Sequence, residues 1–288
     1  MRKKNSIMVI ILFVSISACQ KQNINNTVDF KYVSGVLIVN GKVGESIHGM
    51  FQIDTGANNS FIRKIIADKL NIIPSGKVKG PGPGGKTLEI PTAKVKSISI
   101  GNHSTSLSSC AIIDMKNQQV PETFLGLIGS DFLKNFVVTI DYKKKVLVFE
   151  DNPSLNARLI SGIKIPIKFN ITAPNLPYLS AVVNDSIKDE YLFDTGVPIT
   201  HLSYTDFQAL GLTNDMQNME TKSKNILGSK FESYYTNIAS FALNDSLRIE
   251  NLKIGTYENC NGLIGNNFLS NFIITLNYKG KYILFNKI

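Results

Sequence analysis

Two stretches of this 288-residue chain repeat each other, and the repetition limits what it can fold into. Met50-Phe51-Gln52-Ile53 carries an apolar strand into Asp54-Thr55-Gly56-Ala57, and Tyr191-Leu192-Phe193 runs into Asp194-Thr195-Gly196-Val197 140 positions later. A carboxylate at the end of a buried strand, beside a glycine that lets another backbone approach, is set to meet a partner. Each copy is followed by a second repeated segment. Gly126-Leu127-Ile128-Gly129 through Phe149 aligns without a gap on Gly262-Leu263-Ile264-Gly265 through Phe285, with 13 of 24 residues identical. The chain is therefore read as two copies of one unit.

Each copy presents the same order of elements. Strand, turn and strand come first: Gly35 to Val39, a turn at Asn40-Gly41, then Ser46 to Ile53. In the second copy these are Tyr178 to Val183, a turn at Asn184-Asp185, then Asp189 to Phe193. Asn, Asp and Gly suit such turns because they tolerate positive φ. After the first Asp-Thr-Gly, Ile62, Ile65, Ile66 and Leu70 recur at helical spacing with Ser60 as N-cap. Ser203, Phe207 and Leu210 form a shorter counterpart. Each copy closes with a helical turn, Phe-Leu-x-Asn-Phe, and a hairpin. The Gly/Pro-rich run from Lys79 to Gly85 reads as the tip of a hairpin between Val78 and Leu88-Glu89-Ile90. It is not a phosphate-binding loop, because no Lys-Ser/Thr and no helix start follow it.

The N-terminus reads as a targeting device. Arg2-Lys3-Lys4 precede a short apolar core from Ile7 to Val14, too short for a permanent membrane span, and Ser15 to Cys19 form a processing end. Ser-Ala-Cys resembles a bacterial lipobox, which makes Cys19 the lipidated first residue of the mature chain, anchored by buried acyl CH₂ groups. The expected layout is a signal peptide over 1–18, a tether over 19–29, one lobe over 30–150, a linker over 151–161 and a second lobe over 162–288. Location follows as the bacterial envelope, outer membrane or surface rather than inner membrane. Without Arg2, Lys3 and Lys4, 28 basic residues face 22 acidic ones, spread along the chain. That describes a soluble basic surface and no nucleic-acid partner. Cys110 and Cys260 are an even pair that would suit a disulfide in an oxidising compartment, though spacing alone cannot establish one. No Cys/His spacing suggests a metal, and no cofactor is expected.

Two carboxylates on matching halves would face each other across a dyad and hold one proton between them. The ionised member could take a proton from water while the other donates to a carbonyl oxygen. In these features the chain resembles the retropepsin/pepsin-type aspartyl proteases, with both lobes in one polypeptide. The resemblance implies an all-β fold of two homologous, closed barrel-like lobes with short helices, related by a pseudo-dyad with the active site between them. It assigns catalysis to Asp54 and Asp194, and support of their loops to Thr55, Gly56, Thr195 and Gly196. The triplets Leu127-Ile128-Gly129 and Leu263-Ile264-Gly265 would pack behind those loops. By the same resemblance Gly80, Gly82, Gly84 and Gly85 belong to a flap over the substrate.

The implied activity is hydrolysis of an extended polypeptide by a monomeric aspartic endopeptidase. The alternative is a peptide-binding or structural envelope lipoprotein that keeps the fold without catalysis. Val197-Pro198 departs from the family pattern in a loop that must present a carboxylate accurately. Neither Ala57 nor Val197 offers a side-chain hydroxyl to the acids, which disfavours their charged forms and points to a weakly acidic or neutral optimum. His48, His103 and His201 sit in unrelated contexts and read as surface or packed residues.

Overall fold

The computed structural model describes residues 26–81, 87–116, 118–151, 162–171, 173–215, 220–224 and 230–288. The lipobox and Cys19, the flap glycines Gly82, Gly84 and Gly85, and the linker Asn152 to Asn156 lie outside the described residues. In the first half the strands are β1 (Thr27–Val33), β2 (Val36–Val43), β3 (Ile47–Ile53) and β4 (Phe61–Arg63), followed by helix α1 (Lys64–Lys69). Then come β5 (Gly76–Pro81), β6 (Thr87–Ile100), β7 (His103–Ile113) and β8 (Phe124–Ile128). Helix α2 (Ser130–Leu133), β9 (Val137–Asp141) and β10 (Val146–Glu150) complete it. The second half repeats the plan with β11 (Ile163–Pro166), β12 (Lys168–Asn170), β13 (Ala173–Val183), β14 (Ile187–Phe193) and β15 (Thr200–His201). Helix α3 (Tyr204–Ala209), β16 (Glu220–Lys224), β17 (Lys230–Asn244), β18 (Leu247–Thr256) and β19 (Leu263–Ile264) follow. It ends in helix α4 (Asn266–Leu269), β20 (Phe272–Asn277) and β21 (Tyr282–Lys287).

The fold is all-β and two-lobed. In the first lobe the order β2-β3-β8-β4-β7-β6 closes on itself through a β2–β6 pairing. The second lobe does the same with β13-β14-β19-β15-β18-β17 and a β13–β17 pairing. Closure removes exposed edges and turns alternate residues inward. Phe51, Ile53, Ile62 and Ile128 fill one barrel, and Phe193, Phe207, Phe241, Ile254 and Ile264 fill the other.

A third layer joins the lobes. Strands β1, β10, β9, β20, β21 and β11 form one antiparallel arrangement, in which β9 of the first lobe pairs with β20 of the second. Thr139 lies opposite Thr275 at its centre, and their hydroxyls are 2.8 Å apart. The repeat that was plain in the sequence thus becomes the lobe interface, with its own pseudo-dyad running between two threonines.

Several local expectations are corrected. Asn40 and Gly41 do not turn; they pair with Met50 and Gly49, and the turn falls at Gly44, which has φ of +62°. The strand pairing gained by four more residues outweighs the local turn preference of Asn-Gly. In the second copy Asn184 and Asp185 do make the turn, both with positive φ. Ile62 belongs to β4 rather than to a helix, and Ser60 is not an N-cap: α1 starts at Lys64 without a side-chain cap. Ser203 does cap α3 by accepting from the Asp206 N–H. Residues 27–29, read as tether, are strand and pair with β10. Cys110 and Cys260 are both buried and free. Among the described residues no helix is long and apolar enough to cross a membrane.

The threonine pair gives a first test. Thr139→Val alone leaves the Thr275 hydroxyl buried without its partner, so chemical denaturation should show a loss of about 1–2 kcal/mol. Thr139→Val/Thr275→Val, which removes both hydroxyls together, should recover most of that loss.

Candidate active site

Strands β3 and β14 each run parallel to the short strand that carries the hydrophobic triplet, pairing Ile53 with Ile128 and Phe193 with Ile264. The first residue after each strand is the aspartate, whose N–H is held by Ile128 O at 2.9 Å and Ile264 O at 3.1 Å respectively. Gly129 and Gly265 pass so close behind the loops that an added Cβ would meet Ala57 O at 2.7 Å and the Ile199 carbonyl carbon at 2.5 Å. The loops are bonded to the following helices as well: Ser130 N–H donates to Ala57 O and Asn266 N–H to Val197 O.

The threonines tie one loop to the other. Thr55 Oγ1 donates to Phe193 O at 2.8 Å, and Thr195 Oγ1 donates to Ile53 O at 3.1 Å. Each hydroxyl also accepts the other threonine's N–H, at 3.1 and 3.0 Å. Every polar group of the two buried threonine side chains is thereby satisfied across the lobe boundary. Gln52 adds a further link by donating to Gly196 O at 3.2 Å.

This lock brings Asp54 and Asp194 together. Each carboxylate lies over the other lobe's glycine: a Cβ on Gly196 would fall 2.3 Å from Asp54 Oδ2, and one on Gly56 2.4 Å from Asp194 Oδ2. Only glycine leaves that space. The two carboxyl groups face each other, and Asp194 also accepts from Gly196 N–H at 2.7 Å and from the Gly56 backbone. Burial pushes both acids up, Asp194 to about 6 and Asp54 well above the usual carboxylate range. The negative charge of Asp194 raises Asp54 further, so the facing pair holds one proton between them. Main-chain N–H groups of Gly56 and Ala57 partly offset its burial, in a loop without a hydroxyl at position 57. Asp54 Oδ1 is buried with no hydrogen-bond partner among the described residues.

Val197-Pro198 does not displace Asp194. The carbonyls of both residues accept N–H bonds, from Asn266 and Asn267. Pro198 packs under the β1–β2 turn of the first lobe, where Gly35 has φ of +82° and an added Cβ would lie 2.3 Å from Pro198 Cβ. Its counterpart Asn58 is met by Asn175 Nδ2 of the second lobe at 3.3 Å.

Other polar residues at the loops had escaped notice. Asp131 Oδ1 accepts from Ser60 N–H at 2.9 Å and Ser60 Oγ at 2.5 Å, and Ser60 Oγ accepts from Gly129 N–H. Asn267 and Thr200 repeat the arrangement in the second lobe, with Gly265 N–H donating to Thr200 Oγ1. Their matched offsets in the two copies were the signal. His201 and His103 are packed, their pKa values lowered by burial, and His48 is exposed. Gly80 lies in β5, opposite Leu88 in a hairpin. Among the described residues no cluster of three or more His, Cys, Asp or Glu is gathered as a metal would require.

Comparison with known proteins agrees with this geometry. Residues 39–132 match a family model described as aspartyl protease. Over those residues the first lobe is similar to that family, and the whole chain has an all-β, two-lobed, aspartic-protease-like fold. Solved structures with that fold include basic 7S globulin from soybean, at 11% identity and a TM-score of 0.53, covering 90% of this chain and 94% of the globulin. Conglutin gamma, a basic 7S globulin from lupine seeds, gives 12% identity, a TM-score of 0.53 and the same coverage. At such identities the likeness is one of architecture. No curated protein matches the sequence.

The raised acids make stability depend on pH. Between the unfolded carboxylate value and about 6, folded Asp194 binds more protons than the unfolded chain, so its contribution to stability falls as pH rises through that window. Melting temperatures of wild type and Asp194→Asn, measured from pH 4 to 7.5, should therefore diverge, with the wild type losing ground as pH rises. Parallel curves would contradict the raised value.

Proposed function

We propose that the protein is an aspartic endopeptidase that hydrolyses peptide bonds of an extended polypeptide with a water activated by Asp54 and Asp194. The observation that carries this reading is the facing of two carboxylates, each resting over the other lobe's glycine and each raised by burial. In the reaction, ionised Asp194 takes a proton from water as the water oxygen bonds to the scissile carbonyl carbon. Asp54 gives its proton to the carbonyl oxygen. Collapse of the tetrahedral species breaks the C–N bond: the amine leaves with the proton that Asp194 took, and the hydroxyl proton returns to Asp54. Repulsion between two like charges keeps the pair singly protonated over the working range. The carboxylates sit where strand ends from both lobes converge, so substrate backbone would add as a strand beneath the β5–β6 hairpin, with side chains in apolar pockets.

The same reading places the enzyme in the bacterial envelope, held by lipid on Cys19 and acting as a monomer, with the outer membrane or surface favoured over the inner membrane. A competing reading keeps the fold for peptide binding or a structural role without turnover. Its support is that the two solved structures above are named as globulins rather than proteases.

Digestion of a peptide library by the wild type separates the two. Asp54→Asn and Asp194→Asn should each lower kcat by at least about a thousandfold while a statine-type peptide still binds, because the fold keeps its threonine lock. Activity should rise as pH climbs through about 6, where Asp194 ionises. A profile peaking below pH ~3 would refute the assigned protonation, and a wild type inert toward diverse peptides would favour the binding reading.

A further inference from the structure

Two tyrosines outside the Asp-Thr-Gly loops reach them from the opposite lobe. Tyr278 follows β20 in the second lobe, yet its hydroxyl is 2.8 Å from Ser130 Oγ in the first. Ser130 Oγ donates to Thr55 O at 2.9 Å, so its one hydrogen is committed and Tyr278 must be the donor to it. Tyr142 follows β9 in the first lobe and donates to Asn266 Oδ1 in the second at 2.6 Å. Asn266 Nδ2 in turn donates to Thr195 O at 2.8 Å and to Gly35 O at 2.8 Å. The two carbonyls at the ends of these chains belong to the peptides whose N–H groups are those of Gly56 and Gly196. Gly196 N–H donates to Asp194 Oδ1 at 2.7 Å, and Gly56 N–H faces both acids.

We propose that Tyr142 and Tyr278 are positioning residues for the acid pair. Each polarises, through Asn266 or Ser130, the peptide that donates to the aspartates, and each does so from the lobe that does not carry that loop. The inference rests on the reading of Asp54 and Asp194 as the catalytic pair. In a buried chain each hydrogen bond strengthens the next, so a donor placed on a peptide carbonyl makes the N–H of that peptide a better donor. A better donor at Gly56 or Gly196 favours the ionised acid. Both tyrosines are buried and their hydroxyls are raised above the ordinary value, so they stay protonated and keep donating. Other titratable groups nearby are Asp54 and Asp131 beside Tyr278, Tyr32 beside Tyr142, and Tyr257 beside Asp194. Asp131 is itself engaged by Ser60, and the tyrosines remain neutral, so none of these replaces the relay.

The test uses the full chain in detergent, with Tyr142→Phe, Tyr278→Phe, Ser130→Ala and the Ser130→Ala/Tyr278→Phe pair. Infrared titration of 13C-carboxyl aspartate reads the protonation of the acids without any need for turnover, and melting temperatures check that each variant is folded. Each tyrosine variant should shift the titration midpoint of the pair upward by about 0.3–0.5 of a pH unit, with both limbs of the pH–rate profile following. The value of kcat should fall about threefold to tenfold with KM unchanged. Ser130→Ala should reproduce the shift of Tyr278→Phe, and the double variant should add nothing to it, since both break one chain of bonds. Midpoints equal to wild type in folded tyrosine variants, or additive shifts in the double variant, would overturn the relay. A shifted midpoint in a chain that cleaves no peptide would uphold the relay and overturn the protease reading instead.

Discussion

The exchange of hydroxyls between Thr55 and Thr195 is the constraint on which the rest depends. Two ionised carboxylates about 4 Å apart at an effective dielectric of 20 repel by about 4 kcal/mol. The four buried hydrogen bonds of the threonine lock, at about 1 kcal/mol each, are of the same size. Held together by a force that only matches their repulsion, the acids are most secure with a single proton between them. Structure and protonation state are therefore one problem. The lock fixes the distance, and the distance fixes the charge.

Around that centre the two lobes support each other rather than themselves. The carboxylate of each lobe rests over a glycine of the other, the Pro198 loop lies under the Gly35 turn, and Asn58 is met by Asn175. Behind these contacts the strands β9 and β20 pair across the pseudo-dyad. Neither loop would keep its position in a lobe folded alone, because the groups that hold it come from across the boundary. That arrangement also accounts for the Val197-Pro198 departure. A loop whose carbonyls are bonded to α4 and whose outer face is packed does not need the N–H that proline lacks.

Much of this was legible from the repeats. The twin Asp-Thr-Gly segments and the Leu-Ile-Gly triplets located the loops, and the strand-turn-strand order shared by the two copies gave the first strands of each. Where the reading missed, a distant contact had overridden a local preference. Asn40-Gly41 has the chemistry of a turn, but its pairing with Gly49 and Met50 continued the hairpin to Gly44. Ser60 stands where an N-cap would, yet its hydroxyl is taken by Asp131, 71 residues on. Tyr142 and Tyr278 were not singled out, because nothing local shows that a hydroxyl will cross to the other lobe. Cys110 and Cys260 were candidates for a bridge and instead fill core positions as thiols.

A fold made from two separate, identical chains would have to give both acids the same surroundings. Here duplication within one polypeptide has let the copies drift apart at the places that matter. Ser130 stands opposite Asn266, Asp131 opposite Asn267, and Ala57 opposite Val197. Each member of the pair thus has its own address in the genetic message. The two carboxylates can be adjusted one at a time, a freedom that strict two-fold symmetry denies.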